Sequence, residues 1–443
     1  MPLDPASLRV ALLCTLMAPA TWAQAQTAPD AATLEPRIAA VQAKMIEWRR
    51  DIHQHPELSG QEVRTAKLVA DQLRKLGLSV KTGVGGYGVV ALLKGGRPGK
   101  VVALRADMDA LPVAEATDLP FASRVKTMYE GQETSVMHAC GHDGHTAILL
   151  GVAEVLAGVR AQIPGTVKFI FQPAEEGVPE GPADAQAHWG ARAMVEQGAM
   201  ANPKVNAVFG LHISPNLPLG SVGYRSGPMM AGADTVHITI SGKQTHGAAP
   251  WTGVDPIVVA AQVITGLQTI VSRQLNISNE AVVLTISAIH GGNRENIVPD
   301  SVEMLGTLRT VDEGMRDEAK QRIVTTATMI AAASGAKAGV AFGPTAYSVT
   351  VNEPELTDAM LPSLERSTGG KVLLIPKISA SEDFSEFQKV APGFFYILGA
   401  TPEGKTMATA PTNHSPAFDF NEDAMPLGVL TLSMLALDYL AGR

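Results

Sequence analysis

The chain has 443 residues, of which 46% are hydrophobic and 18% charged, and its formal net charge is −8. That much apolar material supports a large core and excludes a disordered protein. An acidic chain without a basic run is a poor partner for nucleic acid or an anionic membrane face, and two cysteines, Cys14 and Cys140, provide no disulfide framework.

Residues 1–25 read as a secretory signal peptide: Arg9 precedes an apolar stretch, and Ala23-Gln24-Ala25 suits cleavage. The expectation is an exported protein, periplasmic or secreted, with no membrane association once the signal is removed. The apolar stretch at 427–440 is broken by Asp438 and reads as too short to span a bilayer. Cys140 then remains as a lone thiol, expected to be buried or metal-bound.

Helices are expected over 38–52 and 61–76, then strands over 89–93 and 100–106. A helix follows over 144–157, and short apolar strands over 167–171 and 205–212. This alternation predicts an α/β layer with a mostly parallel sheet. From 233 the rhythm changes: strand 235–240, helix 255–275, strands 281–289 and 301–309, helix 312–333 and strand 336–347. The order β-α-β-β-α-β is that of a ferredoxin-like domain. Strands over 372–375 and 394–399 and a C-terminal helix resume the first pattern. The predicted organisation is a catalytic domain in two parts, 26–228 and 351–443, with an inserted lid over 229–350.

The segment His138-Ala139-Cys140-Gly141-His142-Asp143-Gly144-His145 packs three histidines, a cysteine and an aspartate into eight positions. Thiolate and imidazole together suit zinc and other first-row divalent cations. Glu175 and Glu176 follow an apolar strand, where open α/β sheets place ligands. Adjacent carboxylates on a loop point apart, so one can bind a cation while the other serves as a base. His212 ends another apolar strand, and His414 lies in Asn413-His414-Ser415-Pro416. One cysteine, three histidines and a carboxylate exceed one tetrahedral site and suit two cations with a shared ligand.

These segments resemble the M20 family of metallopeptidases, most closely its amidohydrolase branch of hippurate, N-acyl-amino-acid and indoleacetate–amino acid hydrolases. The matching pieces are Arg105-Ala106-Asp107-Met108-Asp109-Ala110-Leu111-Pro112, the 138–145 run, 172–177, 210–212, 242–246, 291–300, 306–310, 381–384 and His414, in order over nearly the whole mature chain. The resemblance implies a two-metal site of Cys140, His142, Glu176, His212 and His414, with Cys140 as the bridge, and Glu175 as general base. It implies that Asp109 orients the site, that His246 reaches the substrate carbonyl from the lid, often that of a neighbouring subunit, and that Asn296 contacts substrate. His138 and His145 are read as supporting residues, and Arg309 and Glu382 as pocket candidates. The chain departs from the family pattern in a longer loop at 178–187, which would shape the pocket; His188 within its flank is not counted as a ligand.

The implied activity is hydrolysis of the amide of an N-acyl amino acid, hippurate-like or aryl-acyl, by a metal-activated water. The implied cofactors are two divalent cations per subunit, Zn2+ or Mn2+, with Co2+ or Ni2+ also compatible. The expected partner is that small-molecule substrate, with homo-oligomerisation through the lid. The alternatives are a dipeptidase or aminopeptidase on unblocked peptides, and a non-catalytic metal-containing binding protein.

Overall fold

The computed structural model describes residues 28–178 and 188–443. The signal-peptide reading at 1–25 and almost all of the 178–187 loop lie outside the described residues.

Helix α1 (Ala31–Gln54) begins where Asp30 accepts the Thr33 N–H, seven residues before the expected start. The cap supplies that start, and Pro36 inside the early turns removes one backbone bond without ending the helix. Then come α2 (Val63–Lys75), β1 (Ser79–Val84), β2 (Gly88–Lys94) and β3 (Arg97–Asp107). Strand β1 and the hairpin β4 (Lys126–Tyr129) with β5 (Gln132–Ser135) were not expected: they are largely exposed and carry no apolar run. Helix α3 (His142–Ala157) is buried along almost its whole length, packed against α1 and β3. It is followed by β6 (Pro164–Gln172), α4 (Gly190–Glu196), β7 (Ala207–Ser214) and β8 (Val222–Tyr224).

The chain leaves this unit through β9 (Gly227–Met230) and returns through β16 (Thr350–Asn352), and these two strands pair antiparallel. Between them lie β10 (Gly232–Ser241), β11 (Thr245–His246), α5 (Pro256–Thr269), β12 (Val282–His290), β13 (Ile297–Val298), β14 (Ser301–Thr310), α6 (Glu313–Ala333) and β15 (Lys337–Tyr347). Four of them form an antiparallel sheet in the order β12-β14-β10-β15. Val236, Ile238, Val263, Leu267, Ile323 and Ala327 form its separate core. The last segment holds α7 (Pro354–Thr368), β17 (Val372–Leu374), α8 (Ser385–Gln388), β18 (Gly393–Gly399) and α9 (Met425–Ala441). Helix α7 was not anticipated either, its pattern being interrupted by Pro362.

Among the described residues, eight strands form one sheet in the order β1-β2-β6-β3-β7-β18-β8-β17. Strands β6, β3, β7 and β18 run parallel, with antiparallel pairs β1/β2, β2/β6 and β18/β8 toward the edges. Successive residues of β3 serve opposite faces: Val102 and Leu104 join the cluster under α1, α3 and α9, and Ala103 the cluster under α4 and α8. Helices on both faces make the unit α/β. The four central parallel strands deliver their carboxyl ends to one edge, and the expected site residues follow those ends.

One expectation is corrected. Residues 422–441 and 256–274 are both long and apolar enough to cross a membrane by composition, whereas the sequence reading found no such run. The first exceeds the earlier limits because a 3-10 turn extends α9 backward, and Asp438 is tolerated because it is buried against Arg366 and Ser363. Of that window, 78% is buried in the core, as befits a helix packed on α3 and α7.

Candidate metal centre

The segment before α3 turns at Gly141, whose φ of +97° is left-handed and free of strain only for glycine. That turn puts Cys140 at the lip of the sheet and His142 at the start of α3. Cys140 Sγ lies 3.3 Å from His212 Nε2, contributed by β7. His212 Nδ1 donates to the Ile213 carbonyl at 2.8 Å, which leaves Nε2 with its lone pair toward the sulfur. Burial, and then the His145 ring, hold the His212 imidazole well below its usual value. Burial, and then Glu176 and Glu175, hold the Cys140 thiol well above its own.

His142 is fully buried. Its Nδ1 donates to the Asp109 carbonyl at 2.9 Å and faces Asp109 Oδ1 at 3.2 Å. Its Nε2 has no hydrogen-bond partner among the described residues. That nitrogen faces Asp107 at 3.7 Å and Glu175 and Glu176 at 4.0 Å each. Burial opposes charging the ring, but Asp107 and Asp109 prevail and push it up to about 10. His414 has φ +68° and is strapped down by its N–H to the Ala139 carbonyl at 2.7 Å. Its Nε2 meets Glu176 Oε1 at 3.0 Å, and that bond raises the imidazole above its usual value.

Ligand-type atoms therefore gather in overlapping trios. Cys140, His142 and His212 form one, and Cys140, Glu176 and His414 a second; the atoms of each lie within 4.8 Å of one another. Donors about 2.0–2.3 Å from a common cation sit at comparable separations. The orphaned His142 Nε2 and a sulfur shared by both trios fit two cations. His142 and His212 also have their other ring nitrogen held by protein, as such sites require.

Glu175 is buried beside His142 Nε2 and forms another cluster with Glu382 and Asp383. Burial, and then Glu382, Glu176 and Asp383, hold its carboxyl well above the usual range, with Arg105 opposing. Arg105 is fully buried and contacts Asp107 at 2.7 Å, Glu382 at 2.8 Å, Asp383 at 3.1 Å and Gln172 at 2.7 Å. Asp107 in turn bonds His145 Nδ1 at 2.6 Å, and His145 Nε2 accepts the Ile213 N–H at 2.8 Å. Both nitrogens of His145 are thus engaged, and it props the strand carrying His212. His138 is buried with neither ring nitrogen hydrogen-bonded among the described residues, and burial lowers it to about 3.

The structure keeps His246 and Asn296 together but apart from these clusters. They are exposed on the β11–β13 ribbon, where Gly247 N–H donates to the Asn296 carbonyl. Arg309 reaches the Ser379 carbonyl and Ser381 Oγ, linking the two units. Sequence reasoning did not give roles to Arg105, Asp107 and Asp383, although the motifs at 105–112 and 381–384 contain them. Ser59, Glu62 and Tyr347 carried no sequence signal.

A family profile described as Peptidase family M20/M25/M40 matches residues 103–438. Thermostable carboxypeptidase 2 of Saccharolobus solfataricus is 42% identical over 396 residues, covering 89% of this chain and 95% of the relative. N-acetylcysteine deacetylase of Bacillus subtilis is 38% identical over 404 residues, covering 90% and 97%. IAA-amino acid hydrolase ILR1-like 2 of Arabidopsis thaliana is 36% identical over 400 residues, covering 89% and 85%. A crystal structure of a dinuclear metal binding peptidase from the M20 family, from Bacillus subtilis, superposes with a TM-score of 0.74 at 35% identity, covering 91% of this chain and 99% of that one. The chain belongs to Peptidase family M20/M25/M40, and with it to the metal-dependent hydrolases of amide bonds.

Proposed function

We propose that this enzyme cleaves the amide of N-acyl amino acids, releasing a carboxylic acid and a free amino acid. The observation that carries the reading is a sulfur, Cys140 Sγ, common to two ligand trios with the buried carboxyl of Glu175 beside them. Relatives named for N-acetylcysteine deacetylation and for IAA–amino acid hydrolysis support an acyl–amino acid amide.

Cys140, His142 and His212 would hold one divalent cation, and Cys140, Glu176 and His414 the other, with Zn2+ or Mn2+ suited to this donor set. Such cations supply the positive charge that acidifies water and polarises a carbonyl. Glu175 then accepts the proton of the attacking water and returns it to the leaving nitrogen. Its raised proton affinity suits the second transfer, and cationic charge nearby suits the first. Asp109 fixes the ring of His142. His246 of a second copy, exposed on the ribbon and free of the local cluster, reaches the developing oxyanion, a contact worth ~3 kcal/mol. Asn296, beside it, contacts substrate. The enzyme thus works as a homo-oligomer, and the N-terminal signal directs it to the periplasm or medium.

Release of free amino acid is measured from N-acetyl, N-benzoyl and aryl-acyl amino acids and from unblocked dipeptides, using metal-loaded and chelated protein. Metal-dependent cleavage of the blocked substrates is expected. Cleavage confined to unblocked peptides would move the assignment to a peptidase, in line with the relatives named carboxypeptidases.

A further inference from the structure

The loop carrying Glu175 and Glu176 has a backbone that its own sequence does not favour. Ala174, immediately before Glu175, has φ +52°, in the left-handed region that a side-chain-bearing residue occupies when its surroundings enforce it. The enforcing contact comes from the turn between α1 and α2. Glu62 Oε1 accepts the Ala174 N–H at 2.8 Å and the Gly60 N–H at 2.8 Å. The Glu62 side chain is fully buried, and its Oε2 has no hydrogen-bond partner among the described residues.

The same turn reaches the other side of Glu175. Ser59 Oγ donates to Asp109 Oδ2 at 2.6 Å, and that oxygen also accepts the Glu176 N–H at 3.0 Å. The turn is itself anchored, since the Glu57 carbonyl accepts the Ala110 N–H at 2.8 Å. The two peptide N–H groups flanking Glu175 are therefore both held by residues of 57–62, one directly and one through Asp109. We infer that Glu62 is a positioning residue for Glu175: its Oε1 holds Ala174 in the left-handed conformation that aims the Glu175 carboxyl at the ligand cluster. The inference rests on Glu175 being the base. Burial, and then Asp109, push the Glu62 carboxyl up to about 8, so near pH 7 it acts mainly through its geometry as an acceptor.

The test compares Glu62→Gln, Glu62→Leu and Glu62→Asp in the full-length, metal-loaded enzyme, with Glu175→Gln alongside. Turnover, KM, cations per subunit and melting midpoint are recorded for each. Gln keeps an acceptor at the same reach, so its kcat is expected within about threefold of wild type. Leu removes the acceptor, and Asp withdraws it by one methylene. Both are expected to lose about 10- to 100-fold in kcat, the scale of a small misplacement of a catalytic group, with KM within about twofold and both cations retained. If Glu62→Leu does not fold, Glu62→Asp carries the test. Unchanged kcat in the Asp and Leu variants would overturn the inference, as would equal losses in Gln and Leu or loss of the cations. An active Glu175→Gln enzyme would instead remove the assignment of the base, whatever Glu62 does.

Discussion

The Tyr347 hydroxyl, at the end of β15 in the inserted unit, donates to the backbone carbonyl of Glu175 at 2.9 Å. The Tyr347 ring also meets Trp189 edge-on, with centroids 5.7 Å apart. The segment joining the two units is thereby tied to the residue proposed as base, opposite the Ala174 contact. Tyr347→Phe keeps the ring and removes one neutral hydrogen bond, worth about 1 kcal/mol. A melting midpoint lowered by a few degrees at most and a kcat about fivefold lower are expected. An unchanged kcat with a lowered midpoint would make the bond purely structural.

Asp109→Asn should weaken cation binding. Asp109 holds His142 through Nδ1 and also accepts from Ser59 and Glu176 N–H. Its carboxyl stays below the usual range: burial opposes ionisation, but His142 and Ser59 outweigh it. An asparagine forces one of those donors to face an N–H. Loss of such a support typically costs 10- to 100-fold in metal affinity. Competition with a fluorescent chelator reads this directly, and wild-type affinity in the variant would contradict it.

Metal-free protein should lose stability as pH rises from about 6.5 to 10. His142 binds its proton up to about 10 when folded, against 6.5 ordinarily, and Glu62 up to about 8. Raised folded values mean that the native state holds more protons than the unfolded one, between 6.5 and about 10 for His142 and between 4.5 and about 8 for Glu62, so unfolding becomes easier as pH increases. His138 acts oppositely: lowered to about 3, it costs stability as pH falls from 6.5. Cations held as proposed would require a deprotonated Cys140 and unprotonated Nε2 atoms, so binding would release protons and tighten with pH. Thermal melts of chelated and loaded protein across pH 6.5–10 should therefore diverge. Parallel curves would refute the coupling.

Arg105→Met should destabilise the fold strongly. The guanidinium contacts the buried Asp107, Glu382 and Asp383 carboxylates together. Burial disfavours its charge, yet Glu382 and Asp107 hold it protonated above the usual value. Removing one member of a buried charge network costs about 3–5 kcal/mol, because the partners are left uncompensated. Denaturant midpoints measure this, and an additional Glu382→Met change should recover part of the loss. No loss in the single variant would mean that the carboxylates do not need Arg105.

Much of this arrangement could be read from the chain. Parallel strands buried on both faces are continuous apolar runs, so β6 and β7 were visible, whereas β1 is exposed and silent. Cys140, His142, Glu176, His212 and His414 were legible because chemically distinctive side chains follow apolar strands or sit in a dense motif. The roles of Glu62 and Asp383 were not: the partner of each lies far along the chain, Ala174 being 112 positions from Glu62 and Gln172 211 from Asp383. Local pattern carries no information about such pairings. His246 shows the converse case, a residue with a motif whose place in one copy of the chain is an exposed ribbon.

That exposure leads to the last prediction. If His246 serves the site of a second copy, two inactive variants should rescue each other. Glu175→Gln lacks the base but presents an intact His246, and His246→Ala has the reverse defect. In a mixed dimer, the site containing Glu175 would receive His246 of the partner subunit, and the other site would lack both. Random reassociation of equal amounts makes half the dimers mixed, each with one working site of two, giving about a quarter of wild-type activity for a twofold dimer. The variants are co-expressed with different tags, the doubly tagged species is isolated, and its turnover is compared with each parent. Activity near half that of wild type in the isolated mixed dimer is then expected. A doubly tagged dimer as inactive as its parents would place His246 in its own subunit's site or outside the reaction, and a fully active monomer would exclude the shared site altogether.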